Sequence, residues 1–572
     1  MAIERFRGIK KLSWLPGKGV NVILGGGDVG KTTILDAIGL LFSPNNSSML
    51  FDSDYYDRNI GEDFSIEAVV ALLPTEGINY QTSPSWPWHW NGTEAVVPSE
   101  ADEGTSNDPV YRLRVRGTPE LELSYEIVQP DDASANLSVS LRRAIGLVRL
   151  SGDDRNDRDL RLVQGSALDR LLSDKGLRSR LAGAIGDSNV KERLNDSAKA
   201  ALTTLNDVFQ DKALPRMLDL GFSGSPGLSI TALIGLTAER AGVQLPLASW
   251  GAGTRRFAAL AIAQQNQGEA PITLVDEIER GLEPYRQWSL METLQAGASQ
   301  VFVTTHSPSA IAAASNAHIW YVDHVGSIAR LDATSIERHR KHDPETFLAR
   351  LTIVAEGATE FGFVTALLER AVPSSLRQYG IHVSDGTGHE STLNLLEALA
   401  SGGLLFGGFV DEEQGKYPVR WQKVRQVLGT LLFRWASGCI EENVISVLPD
   451  DMFEALLTDP TNDKTGMRLR TLADRIGIRE TDFESIRAHA GPGLRALILQ
   501  AALGTVPNDT SVDKKAYLAH AQTWFKSAGG GRELAEKVFR LGVWNQLHPQ
   551  LMPFCNAVRG AVGLAELDDL PP

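Results

Sequence analysis

Residues 25–32 read GGGDVGKT, the segment that most narrows what this chain can fold into. The run fits the pattern G-x-x-x-x-G-K-[ST], with Gly25, Gly30, Lys31 and Thr32 in the fixed places. An apolar strand, NVIL, precedes it, and TTILDAIGLLF follows with apolar residues at helical spacing. A strand that passes through a glycine turn into a helix aims backbone N–H groups and the positive end of the helix dipole at an anion. Glycines let the backbone wrap a phosphate closely, Lys31 neutralises charge, and the Thr32 hydroxyl is suited to Mg²⁺. With Asp28 and Thr33, these residues form the expected ATP-binding loop.

A second strand, ITLV, ends in Asp276 and Glu277. Asp276 is expected to hold Mg²⁺ through water, and Glu277 to orient or deprotonate the water that attacks the γ-phosphate. ASWGAGTRR precedes this strand and VTTHSP follows it. In that order the segments resemble an ABC-type ATPase. Ser249, Gly251 and Gly253 stand in the S-x-G-x-G places of its signature loop, although the usual glutamine is absent, and no Q-loop glutamine is evident. His306 matches the switch histidine, and ERGLEP resembles the loop that crosses the dimer seam. The resemblance implies a head-to-tail ATPase dimer, hence a homodimer or a tetramer.

Further along, LTIVAEGATEF reads as a strand followed by a helix, with Glu356 at the strand end and Glu360 one helical turn later. GIHVSDGTGHE supplies another strand and a glycine turn, and LLFGGFVDEE a third strand ending in Asp411, Glu412 and Glu413. Acidic residues at successive strand ends are where an α/β sheet gathers its ligands. This arrangement resembles a Toprim domain, with Asp411-x-Glu413 departing from the family's D-x-D. The resemblance implies that Glu356, Glu360, Asp411 and Glu413 bind Mg²⁺ or Mn²⁺. It adds Glu441 or Glu442 from WASGCIEENVI as a further metal ligand, and Lys526, with Arg532 as second choice, as a cation assisting cleavage.

Taken over nearly the whole chain, an ABC ATPase with a helical insertion followed by a Toprim unit resembles the OLD (overcoming lysogenisation defect) family of ATP-dependent nucleases. SDYY at residues 53–56 and the stretch before the insertion are similar to the Gabija-type members. The expected fold class is α/β: an ABC-type P-loop ATPase over residues 1–345, with a helical dimerisation insertion at about 166–212, then a Toprim nuclease domain with a helical C-terminal segment over 346–572. Family membership implies ATP-regulated, metal-dependent cutting or nicking of DNA in anti-phage defence, with a helicase-like or other partner protein an open option. The rival expectations are a non-cleaving ATPase sensor and a repair ATPase of the SMC or RecF kind.

Composition limits these readings. At 572 residues the chain is too long for one small domain, and 42% hydrophobic with 22% charged residues is ordinary globular usage. A net charge of −15 argues against bulk electrostatic coating of nucleic acid, so DNA must be gripped by local patches such as Arg420, Lys423 and Arg425, or Arg468 and Arg470. Cys439 and Cys555 lie far apart, with no nearby histidines in ligand spacing, which suggests neither a disulfide framework nor a zinc knuckle. With no long apolar run, the expectation is a cytoplasmic protein without a membrane segment. QTSPSWPWHWNGTE, carrying Trp86, Trp88, His89 and Trp90, reads as a proline-broken surface loop able to stack on bases or to cover a core edge.

Overall fold

The computed structural model describes residues 1–45, 49–71, 87–98, 109–131, 133–150, 158–163, 166–174, 177, 191–222, 234–265, 272–323, 326–401, 406–412, 415–459, 464–506, 515 and 524–571. The chain divides into two compact units, Met1–Arg330 and Leu331–Pro572.

The first unit is built on a six-stranded sheet in the order Leu147–Leu150, Ile272–Val275, Gln300–Thr304, Val20–Gly25, His318–Val322, Ile328–Leu331. The first five of these pair in parallel. Val275 lies opposite Val303, and Thr304 opposite Ile23. That register brings the glycine loop, the Asp276–Glu277 pair and the Thr304–His306 segment to one edge of the sheet. The helix Lys31–Leu41 buries Ile34, Leu35, Ile38 and Leu41 in a core shared with Ile3, Phe6, Phe64, Leu113 and Val115 of a second, antiparallel sheet. That sheet runs Ile9–Ser13, Ala2–Phe6, Phe64–Val70, Pro109–Gly117, Trp88–Trp90, Ala95–Val96, and its strands alternate buried and half-exposed residues as one-sided packing requires.

One detail of this unit differs from expectation. The Trp-rich segment is not a free loop in its described part: Trp88 lies in a strand, is 6% exposed, packs with Val110 and Val128, and donates its indole N–H to the Val128 carbonyl at 2.7 Å. The Arg112 guanidinium covers the same ring at 4.5 Å, so Trp88 is engaged with its own unit; Trp86 lies outside the described residues. In the insertion, the helix Asp196–Asp211 buries Ala198, Leu202, Leu205 and Phe209 and packs on helices Ala167–Leu172 and Ala252–Gln264. Its apolar stripe is thus used inside the unit.

The second unit carries a four-stranded parallel sheet ordered Ile381–Asp385, Leu351–Ala355, Gly407–Val410, Leu432–Arg434. Its two central strands are buried along their whole length, as strands covered on both faces must be. The chain leaves the Leu351–Ala355 strand in one direction and returns on its other side at Gly407–Val410. The crevice beyond these two strand ends is therefore a topological switch point, the place where open α/β sheets bind ligands. Helices Lys464–Ile476, Phe483–Ala490, Leu494–Leu503, Ala528–Arg540 and Trp544–Ala561 follow.

The units divide at Arg330/Leu331, ahead of the expected residue 345. IERHRKHDPE shows no apolar periodicity, yet it contributes to the helix Ala333–His342, because the buried stripe is formed by Ile336, His339 and Arg340. Asp343 then accepts hydrogen bonds from His382 and Ser384, tying this segment to the second sheet. Among the described residues no helix is long and apolar enough to cross a membrane.

Candidate functional site

In the first unit the glycine loop turns sharply at Gly25 (φ +149°), where a β-carbon would stand 2.4 Å from the Val322 carbonyl oxygen. Only glycine fits there. Lys31 donates to the carbonyls of Gly25 at 3.1 Å and Gly26 at 2.5 Å. Burial pushes its ammonium down to about 8, against the pull of Asp276. A lysine with so little water around it gains strongly from a phosphate, which restores the charge balance that burial removed.

Asp276 is locked by its neighbours. Its Oδ1 accepts from the Thr304 hydroxyl at 2.6 Å and the Thr32 hydroxyl at 3.3 Å, which joins the expected Mg²⁺ residues across two strands and the loop helix. Thr304 also accepts from the Glu277 N–H at 2.9 Å, and Glu277 sits in the left-handed region (φ +48°). Arg256, from the helix after the signature-like loop, reaches under this turn. Its guanidinium donates to the carbonyls of Asp276 at 2.5 Å, Glu277 at 2.8 Å and Arg280 at 2.7 Å. Nothing local in the sequence marks Arg256: a second arginine in GTRR says nothing of its direction. His306 lies at the same edge: its N–H and the Thr305 hydroxyl both donate to Glu279, each at 2.7 Å. Burial, with Lys31 adding to it, holds the His306 imidazole below the usual histidine range. Ser249 and Gly251 lie immediately before the helix Ala252–Gln264, exposed or nearly so, with the Ser249 hydroxyl donating to the Pro246 carbonyl at 2.7 Å.

The second unit assembles a different chemistry. Glu356 and Asp411 project from the adjacent central strands: the Glu356 N–H donates to the Phe409 carbonyl at 3.0 Å, and the Asp411 N–H donates to Glu356 Oε2 at 3.1 Å. Glu360 lies in the first turn of the helix Ala358–Ala371, and Glu441 in that of the helix Ile440–Val447, where the dipole favours a negative charge. The choice between Glu441 and Glu442 is resolved by capping. Glu442 accepts from the Cys439 N–H at 2.9 Å, whereas Glu441 turns inward with 0% exposure. Glu412 is taken up by an ion pair with Arg434, and Glu413 lies outside the described residues.

Lys526 reaches this cluster because two helices cross almost in backbone contact. A β-carbon on Gly362 would stand 1.8 Å from the Ala528 carbonyl oxygen, and one on Gly531 2.0 Å from that of Thr359. This glycine seam docks the helix Ala528–Arg540 on Ala358–Ala371 and sets the Lys526 ammonium 3.1 Å from Glu441 Oε1. Burial opposes its charge, yet Glu441 holds it above the usual lysine range. Arg532 instead pairs with Glu369 at 2.7 and 2.9 Å on a half-exposed surface. Of the basic DNA-contact candidates, Arg468 is fully buried in a two-pronged pair with Glu533, both contacts at 2.7 Å, so it cannot meet a phosphate. Arg420 is held by Glu397 and Asn394, while Lys423, Arg425 and Arg470 are exposed.

Four buried carboxylates with one lysine are electrostatically unfinished. Burial, then Glu360, Glu356 and Glu441, pushes Asp411 up to about 10, and burial, then Glu441 and Glu356, raises Glu360 to about 7. Oδ1 of Asp411 is buried without a hydrogen-bond partner among the described residues. Such groups must carry protons or meet cationic charge. Hard oxygen donors suit Mg²⁺ or Mn²⁺, and the unpartnered Asp411 oxygen is the observation that fits such an ion. Among the described residues no three His, Cys, Asp or Glu side chains are grouped closely enough to hold a metal ion.

A parallel sheet with a phosphate loop, an Asp–Glu strand end and a histidine on the neighbouring strand defines a P-loop ATPase domain. The chain belongs to the family described as "AAA domain, putative AbiEii toxin, Type IV TA system", which matches residues 20–312. Among curated proteins no sequence match is found. Similar solved structures include an Smc head bound to the C-winged helix domain of ScpA, at 16% identity and TM-score 0.38 over 59% of this chain and 98% of that one. The recombination mediator protein RecF is similar at 14% identity and TM-score 0.34, over 58% and 97%. An SMC head domain from Thermotoga maritima is similar at 13% identity and TM-score 0.28, over 58% and 97%. Scores this low carry no weight for function.

Proposed function

We propose that the chain is an ATP-regulated, divalent-metal-dependent DNA endonuclease, with its ATPase in residues 1–330 and an OLD-type Toprim nuclease in residues 331–572. The observation that carries this reading is the buried group of Glu356, Glu360, Asp411 and Glu441 at the switch point of a parallel sheet, with Lys526 beside it. A divalent cation bound there supplies Lewis-acid polarisation of a phosphodiester and a water of lowered pKa. Glu356, Asp411, Glu360 and Glu441 would hold it; Glu413, a candidate ligand from its sequence position alone, lies outside the described residues. Lys526 sets a cation where charge develops on the scissile phosphate.

In the first unit, Lys31 and the loop N–H groups would hold the ATP phosphates, and Thr32 and Asp276 would hold its Mg²⁺. Glu277 would orient the attacking water, and His306 would contact the γ-phosphate. Ser249 and Gly251 would meet the nucleotide of a second subunit, which makes a homodimer or tetramer the working assembly. Exposed Lys423, Arg425 and Arg470 would grip DNA phosphates. Cytoplasmic anti-phage defence, alone or with a partner protein, is the proposed setting.

Supercoiled plasmid incubated with Mg²⁺ or Mn²⁺ across an ATP titration tests the reading. Nicked or linear product from the wild type, lost in Glu356→Ala, is expected. Intact plasmid with either cation at every ATP level, or equal cutting by the variant, would overturn it. A non-cleaving ATPase sensor is the second reading, favoured by the absence, among the described residues, of three acidic, His or Cys side chains grouped to hold a metal; it predicts ATP hydrolysis and DNA retention without product.

A further inference from the structure

The glycine turn after Asp385 delivers His389 to the start of the helix His389–Ser401, beneath the acidic cluster. The imidazole is buried between two partners. Its Nδ1 lies 3.2 Å from Glu356 Oε2, and its Nε2 lies 3.3 Å from the Trp421 indole nitrogen. Tyr417 stacks on one face, with ring centroids 6.3 Å apart and 19° between planes. An indole N–H can only donate, so Nε2 must accept and Nδ1 must carry the single proton. A protonated ring would turn an N–H against the indole N–H. The neutral Nδ1–H tautomer therefore donates to Glu356, whose Oε2 also accepts the Asp411 N–H.

We infer that His389 is a positioning residue that fixes the Glu356 carboxylate for cation binding, with its tautomer set by Trp421. Two donors on Oε2 hold the carboxylate in one rotamer and spare its ordering when a cation arrives. Loss of such an outer partner typically weakens metal binding by about 10–100-fold. This inference rests on the proposed metal role of Glu356, so the experiment must separate the two. Trp421 stands one turn into the helix Pro418–Leu428, on the far side of the ring from Glu356, with its indole N–H on His389 and the Arg434 guanidinium 5.4 Å over its ring.

The test uses the full chain and Mn²⁺ alone, with binding read by calorimetry and tautomer by ¹⁵N-histidine correlation spectra of the metal-free protein, the lost signal in His389→Asn assigning His389. Expected are an Nδ1–H signature in the wild type and a mixture of tautomers in Trp421→Phe. Mn²⁺ affinity should fall about 10–100-fold in His389→Leu and stay within about threefold of wild type in His389→Asn, whose amide N–H can replace the Nδ1 donor. If His389→Leu does not fold, Trp421→Phe, which keeps an aromatic ring in place, carries the test through the tautomer and a smaller loss of affinity. An Nε2–H or doubly protonated ring in the wild type, or undiminished Mn²⁺ affinity in both His389→Leu and Trp421→Phe, overturns the inference. Wild-type protein that binds Mn²⁺ no better than Glu356→Gln instead overturns the metal reading, while the spectra still decide the tautomer.

Discussion

At the sheet edge of the N-terminal unit, Asp276 is held by two hydroxyls and faces a buried lysine, whereas in the C-terminal unit Asp411 keeps a buried oxygen unpartnered among the described residues. Both acids end parallel strands. In the first unit the carboxylate is already organised and the buried charge in need of a partner is the positive one, Lys31, so an anion completes the site. In the second, four acids outnumber one lysine, and a cation would complete it. The same position in two α/β sheets thus suits opposite ligands, because neighbouring side chains set the sign of the uncompensated charge.

Substitutions that touch one unit should leave the other intact, and the largest effect is expected at the acid cluster. Glu356→Ala should reduce plasmid cleavage by about 10³-fold, several kcal/mol of transition-state stabilisation, while ATP hydrolysis measured by phosphate release is unchanged. Lys31→Ala is the mirror experiment. Loss of a cation aimed at developing phosphate charge should lower ATP turnover by about 10²–10³-fold and leave Mn²⁺ affinity of the second unit unaltered. If Glu356→Ala also slowed ATP hydrolysis, or Lys31→Ala also weakened Mn²⁺ binding, the contrast between the units would be broken.

Stability should respond to pH in the acid-cluster unit. Glu360 and Asp411 titrate higher in the folded chain, about 7 and about 10, than the ordinary carboxylate value of about 4, so the folded state binds more protons than the unfolded one. Their contribution is therefore least unfavourable at low pH and grows more costly as pH rises from about 4 through those values. Scanning calorimetry in EDTA should show the C-terminal transition falling between about pH 6 and pH 8. Mn²⁺ at about a hundredfold over its dissociation constant should restore about 2.7 kcal/mol. A transition that rises with pH and ignores Mn²⁺ would contradict the charge assignment.

Smaller effects sharpen the comparison. Thr304→Val removes the hydroxyl that bridges Asp276 and the Glu277 N–H, leaving polar groups short of a partner at a cost of about 1–3 kcal/mol, readable as a lowered midpoint in urea. Arg532→Ala, which breaks only the half-exposed pair with Glu369, should cost under about 1 kcal/mol and leave cleavage unchanged. A large cleavage defect there would return the assisting cation from Lys526 to Arg532.

Much of the first site was legible because its residues are contiguous: a loop that wraps phosphate is a local backbone conformation, and GGGDVGKT spells it out. Glu356, Glu360 and Asp411 were legible for a related reason, since strand ends and one helical turn set their spacing. Long side chains were not. Arg468 looked like a solvent-facing cation and proved to be a buried partner of Glu533, and Arg256 and His389 gave no sign of their reach.

The sequence by itself determined the P-loop sheet, the order of its strand-end residues and the acidic character of the second unit, because local geometry and apolar period act over a few neighbouring residues. Only tertiary structure decided which acids are buried together, that Glu441 rather than Glu442 faces inward, and that Lys526 rather than Arg532 joins them. The last of these depends on a glycine seam between helices more than 150 residues apart in the chain, and side-chain direction at such a crossing follows from packing that no local pattern encodes.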